Sequence, residues 1–388
     1  MQTSSLKDII FSNYRSYFER EELGDNLGKE DFKLMQLRVG ARNVTYRLDV
    51  GEKKYFLKRT RSYGNTSLKP ESLTLEALKD FNFLPNVITW VVNDDYQLEM
   101  MIEEYIGDYK LGQLRENMPF IKKIDNPKEE NSILRRIADI VVELYNEGQK
   151  QIHNGKFEKR NVDPLYCYFS TIDDFSTFQE EKKGPFSRIK KEKPNWLNGG
   201  IKKYPIEKID GVFSLSELEK RFRSHAQQHY SESDKISPKE KNISLIHPDP
   251  ILKNWLDVDE KTYLVDWDGT YTRGIGAYLG DVAYFIAHIV TDFEFKNSLL
   301  PDKEKKIQYL DQFVLYLQEK LQIPDLKKQV ELYKPYHHFD NLVWYMTKYD
   351  LKRKSDADIN ETEKNYFNTV NIFLDSIEAS KKYFKGKK

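Results

Sequence analysis

The sequence predicts an α+β chain in which a small antiparallel sheet comes first and a larger helical part follows. Three observations carry that expectation. Between residues 32 and 105, short runs of alternating apolar and polar residues are separated by Gly and Asn-Asp turns. Beyond Gly107 the period becomes helical, with Ile133, Ile137, Ile140, Val141 and Leu144 recurring on one side. Three further segments, about 303–321, 328–349 and 361–384, keep helical spacing almost to the end. Strands grouped first and helices grouped afterwards define an α+β architecture.

In chain order, residues 1–22 read as an amphipathic helix with Leu6, Ile9, Ile10, Tyr14, Tyr17 and Phe18 on one face. Gly24 to Gly28 ends it. Strands are expected at 32–39, 44–50 and 55–58, with turns at Gly40–Asn43 and Gly51. Pro70 suits the first turn of a helix over 70–81. Strands at 87–92 and 97–105 follow, joined by Asn93-Asp94-Asp95. Residues 1–105 thus form a first domain and 106–388 a second, with Gly107 as the hinge. Residues 155–240, rich in Lys, Glu, Pro, Asn and aromatics, read as an insertion with a helix from Leu215 to His229. A mobile surface loop and a lid or acceptor-binding element remain equally open for it. Residues 243–247 and 262–267 read as short strands around a turn, and 277–292 as a helix. Pro335 is expected to kink or start the second of the three last helices.

Lys plus Arg and Asp plus Glu number 62 each, so net charge gives no reason to expect nucleic acid. Cys167 stands alone and cannot form an intramolecular disulfide. No apolar leader and no membrane-length run is present. The expectation is a cytoplasmic protein with neither a nucleic-acid nor a membrane partner.

The chemistry concentrates in Ile246-His247-Pro248-Asp249-Pro250-Ile251-Leu252-Lys253-Asn254, followed by Tyr263-Leu264-Val265-Asp266-Trp267-Asp268. Phosphoryl transfer needs a carboxylate near the acceptor hydroxyl, an amide and a carboxylate on magnesium, and a cation on the phosphates. A loop carrying Asp249 and Asn254 can aim the first at the acceptor and the second at the metal. Asp266 supplies a second oxygen donor of the kind magnesium prefers. His247 reads as a packing residue of the loop, and the His337-His338 pair as packing on a helix.

This pattern resembles the aminoglycoside phosphotransferase and choline kinase family, small-molecule relatives of the protein kinases. The resemblance covers about residues 32–290. It implies a bilobal protein-kinase-like fold, with a small N-terminal sheet lobe, a larger helical C-terminal lobe and ATP in the cleft. It places Asp249 as the catalytic base and Asn254 and Asp266 as the magnesium ligands. Lys58, in Tyr55-Phe56-Leu57-Lys58, falls at the phosphate-binding position. Its helix partner is expected to be Glu71, with Glu76 the second candidate. Gly40 to Asn43 takes the place of the nucleotide-covering loop. Met101-Ile102-Glu103-Glu104-Tyr105-Ile106-Gly107 resembles the interlobe linker, so the backbone of Glu103 and Tyr105 would bond the adenine and Ile102 would guard the back of the pocket. Gly280-Asp281-Val282-Ala283 resembles the family's Gly-Asp-Leu-Ala element. Where the family commonly has Gly, this chain has Pro248.

The implied activity is transfer of the γ-phosphate of ATP, with Mg2+, to a hydroxyl of a small molecule: a sugar, an amino alcohol or an aminoglycoside-like acceptor. A catalytically silent nucleotide-binding protein is the alternative from another class, and a protein kinase is a third. Intact Lys58, Asp249, Asn254 and Asp266 weigh against the silent reading. The short run between Asp268 and Tyr278 weighs against protein phosphorylation.

Overall fold

A computed structural model describes residues 3–19, 27–39, 43–64, 67–107, 124–154, 215–236, 243–245, 247, 254–258, 260–267, 275–277, 282, 285–287, 289, 302–351 and 356–384. It divides into two compact units. The first comprises Met1–Lys122 with Lys253–Arg273, and the second comprises Lys123–Leu252 with Gly274–Lys388. No helix among the described residues is long and apolar enough to cross a membrane.

The first unit is built on a five-stranded antiparallel sheet of order β1-β2-β3-β5-β4. Its strands are β1 (Phe32–Val39), β2 (Asn43–Val50), β3 (Lys53–Thr60), β4 (Val87–Asn93) and β5 (Leu98–Glu104). β1, β2 and β3 are successive neighbours, whereas β5 lies between β3 and β4. Side chains alternate across a strand, so each strand offers one set of residues to each face. One face carries Val44, Tyr46, Leu48, Leu57, Met100 and Ile102, which join one core with Leu6, Ile10, Tyr14 and Phe18 of α1 (Thr3–Phe18). Phe18 meets Phe32 and Tyr55 edge-on, with ring centroids 5.5 and 5.2 Å apart. Leu6, Ile9, Ile10, Tyr14 and Phe18 of the helical face read from the sequence seal this side of the sheet, whereas Tyr17, read on the same face, is exposed.

The other face carries Lys58 and takes α2 (Lys69–Ala77). The carboxylate of Glu99 in β5 pins the start of that helix. Its Oε1 accepts from Ser67 Oγ at 2.9 Å, the Leu68 N–H at 2.8 Å and Trp90 Nε1 at 3.0 Å. Pro70 occupies the first turn, where a missing N–H costs nothing. The helix stops at Ala77, earlier than its sequence spacing implies, because Leu78 to Asp80 form a turn.

A β-hairpin of β7 (Trp255–Val258) and β8 (Lys261–Leu264) also belongs to the first unit. Glu260 makes its turn with φ +62°. The Leu264 N–H donates to the Phe83 carbonyl at 2.9 Å, tying the hairpin to the loop after α2.

In the second unit α3 (Ile133–His153) carries the apolar stripe expected from the sequence. It lies against β6 (Ile243–Leu245), which pairs antiparallel with β9 (Ile275–Ala277). The two short strands read at 243–247 and 262–267 are therefore not partners of each other; each belongs to its own two-stranded sheet. Contact between α3 and β6 is close. A Cβ on Gly148 would overlap Ser244 Oγ and the Leu245 backbone nitrogen. The Ser244 hydroxyl donates to the Tyr145 carbonyl at 2.7 Å.

Among the described residues the unit also has α4 (Leu215–Ile236), α5 (Lys303–Leu321), α6 (Leu326–Leu351) and α7 (Asp356–Phe384). Pro335 lies inside α6, nine residues after its start, so it does not begin that helix. Phe222 of α4 stacks on Phe339 of α6 at 4.3 Å, and Phe339 meets Phe373 of α7 at 5.4 Å. Among these rings sit His225 and His229, both buried. His225 Nε2–H donates to the Leu332 carbonyl at 3.0 Å, and His229 Nδ1 lies 3.1 Å from the Tyr336 hydroxyl. His337 and His338 are buried as well. Of the 155–240 insertion, only α4 falls within the described residues.

Candidate functional site

Lys58 is a central-strand residue only 3% exposed, a position that a lysine occupies only with partners. It has them. Lys58 Nζ donates to Glu71 Oε1 at 2.8 Å and Oε2 at 2.9 Å, and to Asp266 Oδ1 at 2.9 Å. β3 fixes the lysine, the first turns of α2 fix Glu71, and the end of the β7–β8 hairpin fixes Asp266. Glu76, the second candidate, instead pairs with Lys79 at the surface.

The hairpin also sets Asn254 beside Asp266. Trp255 pairs with Leu264, and the Val265 N–H donates to the Asn254 carbonyl at 2.9 Å. Asn254 is buried, whereas the Asp266 side chain is 44% exposed. Asp266 has φ +66°, left-handed backbone that a non-glycine residue adopts only where its surroundings hold it.

One further carboxyl, Glu103, bears on Lys58 beside Glu71 and Asp266. Burial pushes Glu71 up to about 8 from an ordinary 4.5. The Lys58 ammonium pulls against that shift, and Glu103 and Asp266 add to it. Burial likewise pushes Glu103 up to about 7, again opposed by Lys58 and reinforced by Asp266. Burial thus favours the protonated form of Glu71 and Glu103, which limits the negative charge gathered around the Lys58 ammonium. The amide and carboxylate of Asn254 and Asp266 are donors that suit magnesium. Among the described residues no three His, Cys, Asp or Glu side chains converge as a metal cage.

The remaining expected positions separate into three groups. Asp249, Gly40, Asp268 and Asp281 lie outside the described residues; Asn43, the end of the Gly40 turn, opens β2 opposite Thr60. Tyr105 stands just past β5, and its hydroxyl engages Arg47. Ile102 and Glu103 are placed differently from expectation. Ile102 pairs with Leu57 and faces the core beneath α1, away from Lys58. Glu103 lies inside the ladder, between Phe56 and Val87, so its side chain rather than an open backbone edge reaches the Lys58 face. The cause is that β5 runs through to Glu104, which shifts the facing by one residue. β5 is central and buried on both faces, so its sequence has no alternation from which this parity can be read.

The architecture is the bilobal α+β fold of protein-kinase-like small-molecule kinases. The chain is similar to a solved Ralstonia eutropha protein assigned to the aminoglycoside phosphotransferases, with TM-score 0.57, 13% identity, and 97% of this chain and 98% of that one covered. It is also similar to Plasmodium vivax ethanolamine kinase, with TM-score 0.51, 16% identity and 97% of each chain covered. Spectinomycin phosphotransferase, solved with ADP and spectinomycin, gives TM-score 0.51 and 12% identity over 97% of this chain and 98% of that one. No protein-family model and no curated protein matches the sequence. At these identities the likeness is one of fold.

Proposed function

We propose that this chain is an ATP- and magnesium-dependent phosphotransferase that moves the γ-phosphate to a hydroxyl of a small molecule: an amino alcohol, a sugar or an aminoglycoside-like compound. The observation that carries the proposal is the convergence of Lys58, Glu71 and Asp266, with Asn254 beside them. A buried ammonium oriented by a helix carboxylate is the phosphate-binding element of phosphoryl-transfer enzymes.

In this reading Lys58 holds the phosphates and Glu71 keeps it aimed. Asn254 and Asp266 would hold magnesium, which neutralises charge on the phosphate oxygens. Asp249 accepts the proton of the acceptor hydroxyl as its oxygen bonds to the γ-phosphorus and the bond to the β-phosphate oxygen breaks, releasing ADP. The first unit would bind the nucleotide, with the Tyr105 backbone bonding the base and Gly40 to Asn43 covering the phosphates.

Thermal melts with ATP, GTP and ADP, each with and without magnesium, test the nucleotide site. A ligand at 100 times its Kd stabilises by about 2.7 kcal/mol, a readily visible rise. ADP release with a panel of amino alcohols, sugars and aminoglycosides then tests the transfer. A magnesium-dependent shift without turnover on any acceptor would favour the silent binding protein. No shift with any nucleotide overturns the proposal.

A further inference from the structure

Glu103 is a buried carboxyl whose Oε1 has no hydrogen-bond partner among the described residues. Leaving such an acceptor unmet is costly, so its retention calls for a reason. The other buried acids on this face of the sheet have evident tasks. Glu99 receives three donors at the start of α2, and Glu71 receives Lys58. Glu103 does neither.

Its position indicates what is missing. Phe56 pairs with Glu103 and Lys58 with Met101, so all four side chains share one face of the sheet. Glu103 is two residues along the strand from the position opposite Lys58, roughly 7 Å at the usual rise per residue. It also lies two residues before Tyr105, at the end of β5. In the reading proposed above, with the phosphates on Lys58 and the base at Tyr105, the base lies toward this end of β5. Phe56, directly across the ladder, offers an aromatic surface to a planar ring. A phosphate would be repelled by Glu103, whereas an amino group would satisfy it.

We propose that the Glu103 carboxylate accepts a hydrogen bond from the exocyclic amine of adenine and so selects ATP over nucleotides that lack this donor. The inference rests on the nucleotide site proposed above. A site built to bond one polar group rejects the analogue without it, because its own buried group is then left unpaired. Guanine presents an oxygen at the same place and would meet the carboxylate acceptor to acceptor.

Binding of ATP, GTP and purine riboside triphosphate, which lacks only the amine, is measured calorimetrically with magnesium at pH 8, above the value of about 7 to which burial lifts this carboxyl. The wild-type chain should favour ATP over the purine analogue by about tenfold or more. In Glu103→Leu that ratio should collapse to within about threefold of unity, because the acceptor is gone. Glu103→Gln keeps the shape, serves if the leucine variant does not fold, and turns an N–H toward the base, so GTP should gain on ATP. If ATP binds and its preference is unchanged in both variants, the inference is overturned while the nucleotide site stands. If no nucleotide binds the wild-type chain, both fall together.

Discussion

The Lys58 ammonium contacts Asp266 Oδ1 at 2.9 Å across 208 residues of sequence. Lys58 is buried and Asp266 is half exposed, so the contact joins the interior of the sheet to solvent. Removing the cation should leave the buried carboxyls uncompensated. Lys58→Met should cost about 3 kcal/mol in urea unfolding, and Lys58→Met with Glu71→Leu should recover most of that loss. Both variants should lose magnesium-dependent ATP binding. Equal stability of the single and double variants would remove Glu71 as the energetic partner of Lys58.

Asp249 and Asp266 should separate kinetically. Asp249→Ala is expected to abolish turnover while ATP binding stays close to normal, since the proton acceptor alone is lost. Asp266→Ala should weaken binding of the magnesium complex itself. Rates and calorimetric affinities measured on the same preparations check the split. Near-normal turnover in Asp249→Ala would contradict its role as base.

Gly107 has φ +76°, and a Cβ there would lie 3.3 Å from both methyls of Val258. Gly107→Ala should lower stability by about 1–2 kcal/mol, part from backbone strain and part from crowding. Val258→Ala in the same chain should return only the crowding part. Complete recovery in thermal melts would show that the left-handed conformation costs nothing.

Gly148→Ala should be far worse. Its methyl meets the Leu245 backbone as well as the Ser244 side chain, and a backbone cannot rotate aside. A loss of about 3 kcal/mol or more is expected, with no rescue by Ser244→Ala. Chemical denaturation of the three variants tests this.

The two units should respond to pH in opposite senses. Glu71 and Glu103 are raised to about 8 and about 7, so their folded forms keep protons that the unfolded chain releases above 4.5. Their stabilising contribution is full below that value and is lost as pH rises through 7 to 8. His225 and His338 are lowered to about 4 and about 3 from 6.5 by burial, and burial holds His229 well below 6.5 as well. Their contribution is full above 6.5 and is lost as pH falls toward 4. Hydrogen-exchange protection, after correction for intrinsic exchange rates, should fade first in β3 and β5 on the alkaline side and first in α4 and α6 on the acid side. Parallel fading in both units at both extremes would contradict this.

Local signals made most of the fold legible. The α1 stripe, the Asn-Asp turn before β5 and the apolar face of α3 each follow from residues a few positions apart. Lys58, Glu71 and Asp266 were singled out through the resemblance of their motifs, and the structure brings these three side chains into contact. What could not be read was set by distant partners. β6 pairs with β9 rather than with β8, and a three-residue strand has too few positions to declare its partner. The facing of Ile102 and Glu103 depends on the register of β5 against β3, which a doubly buried strand does not encode in its own pattern.

The assignment of residues 253–273 to the first unit has a consequence for how the protein is made. A chain emerging from the ribosome completes β1 to β5 early but lacks the hairpin that closes on Lys58. At 5–20 residues per second, the roughly 150 residues between positions 122 and 273 take roughly 8–30 s to synthesise. During that interval Lys58 has been made and Asp266 has not, so the lysine lacks that partner until the hairpin follows. A fragment ending at residue 122 would lack it permanently.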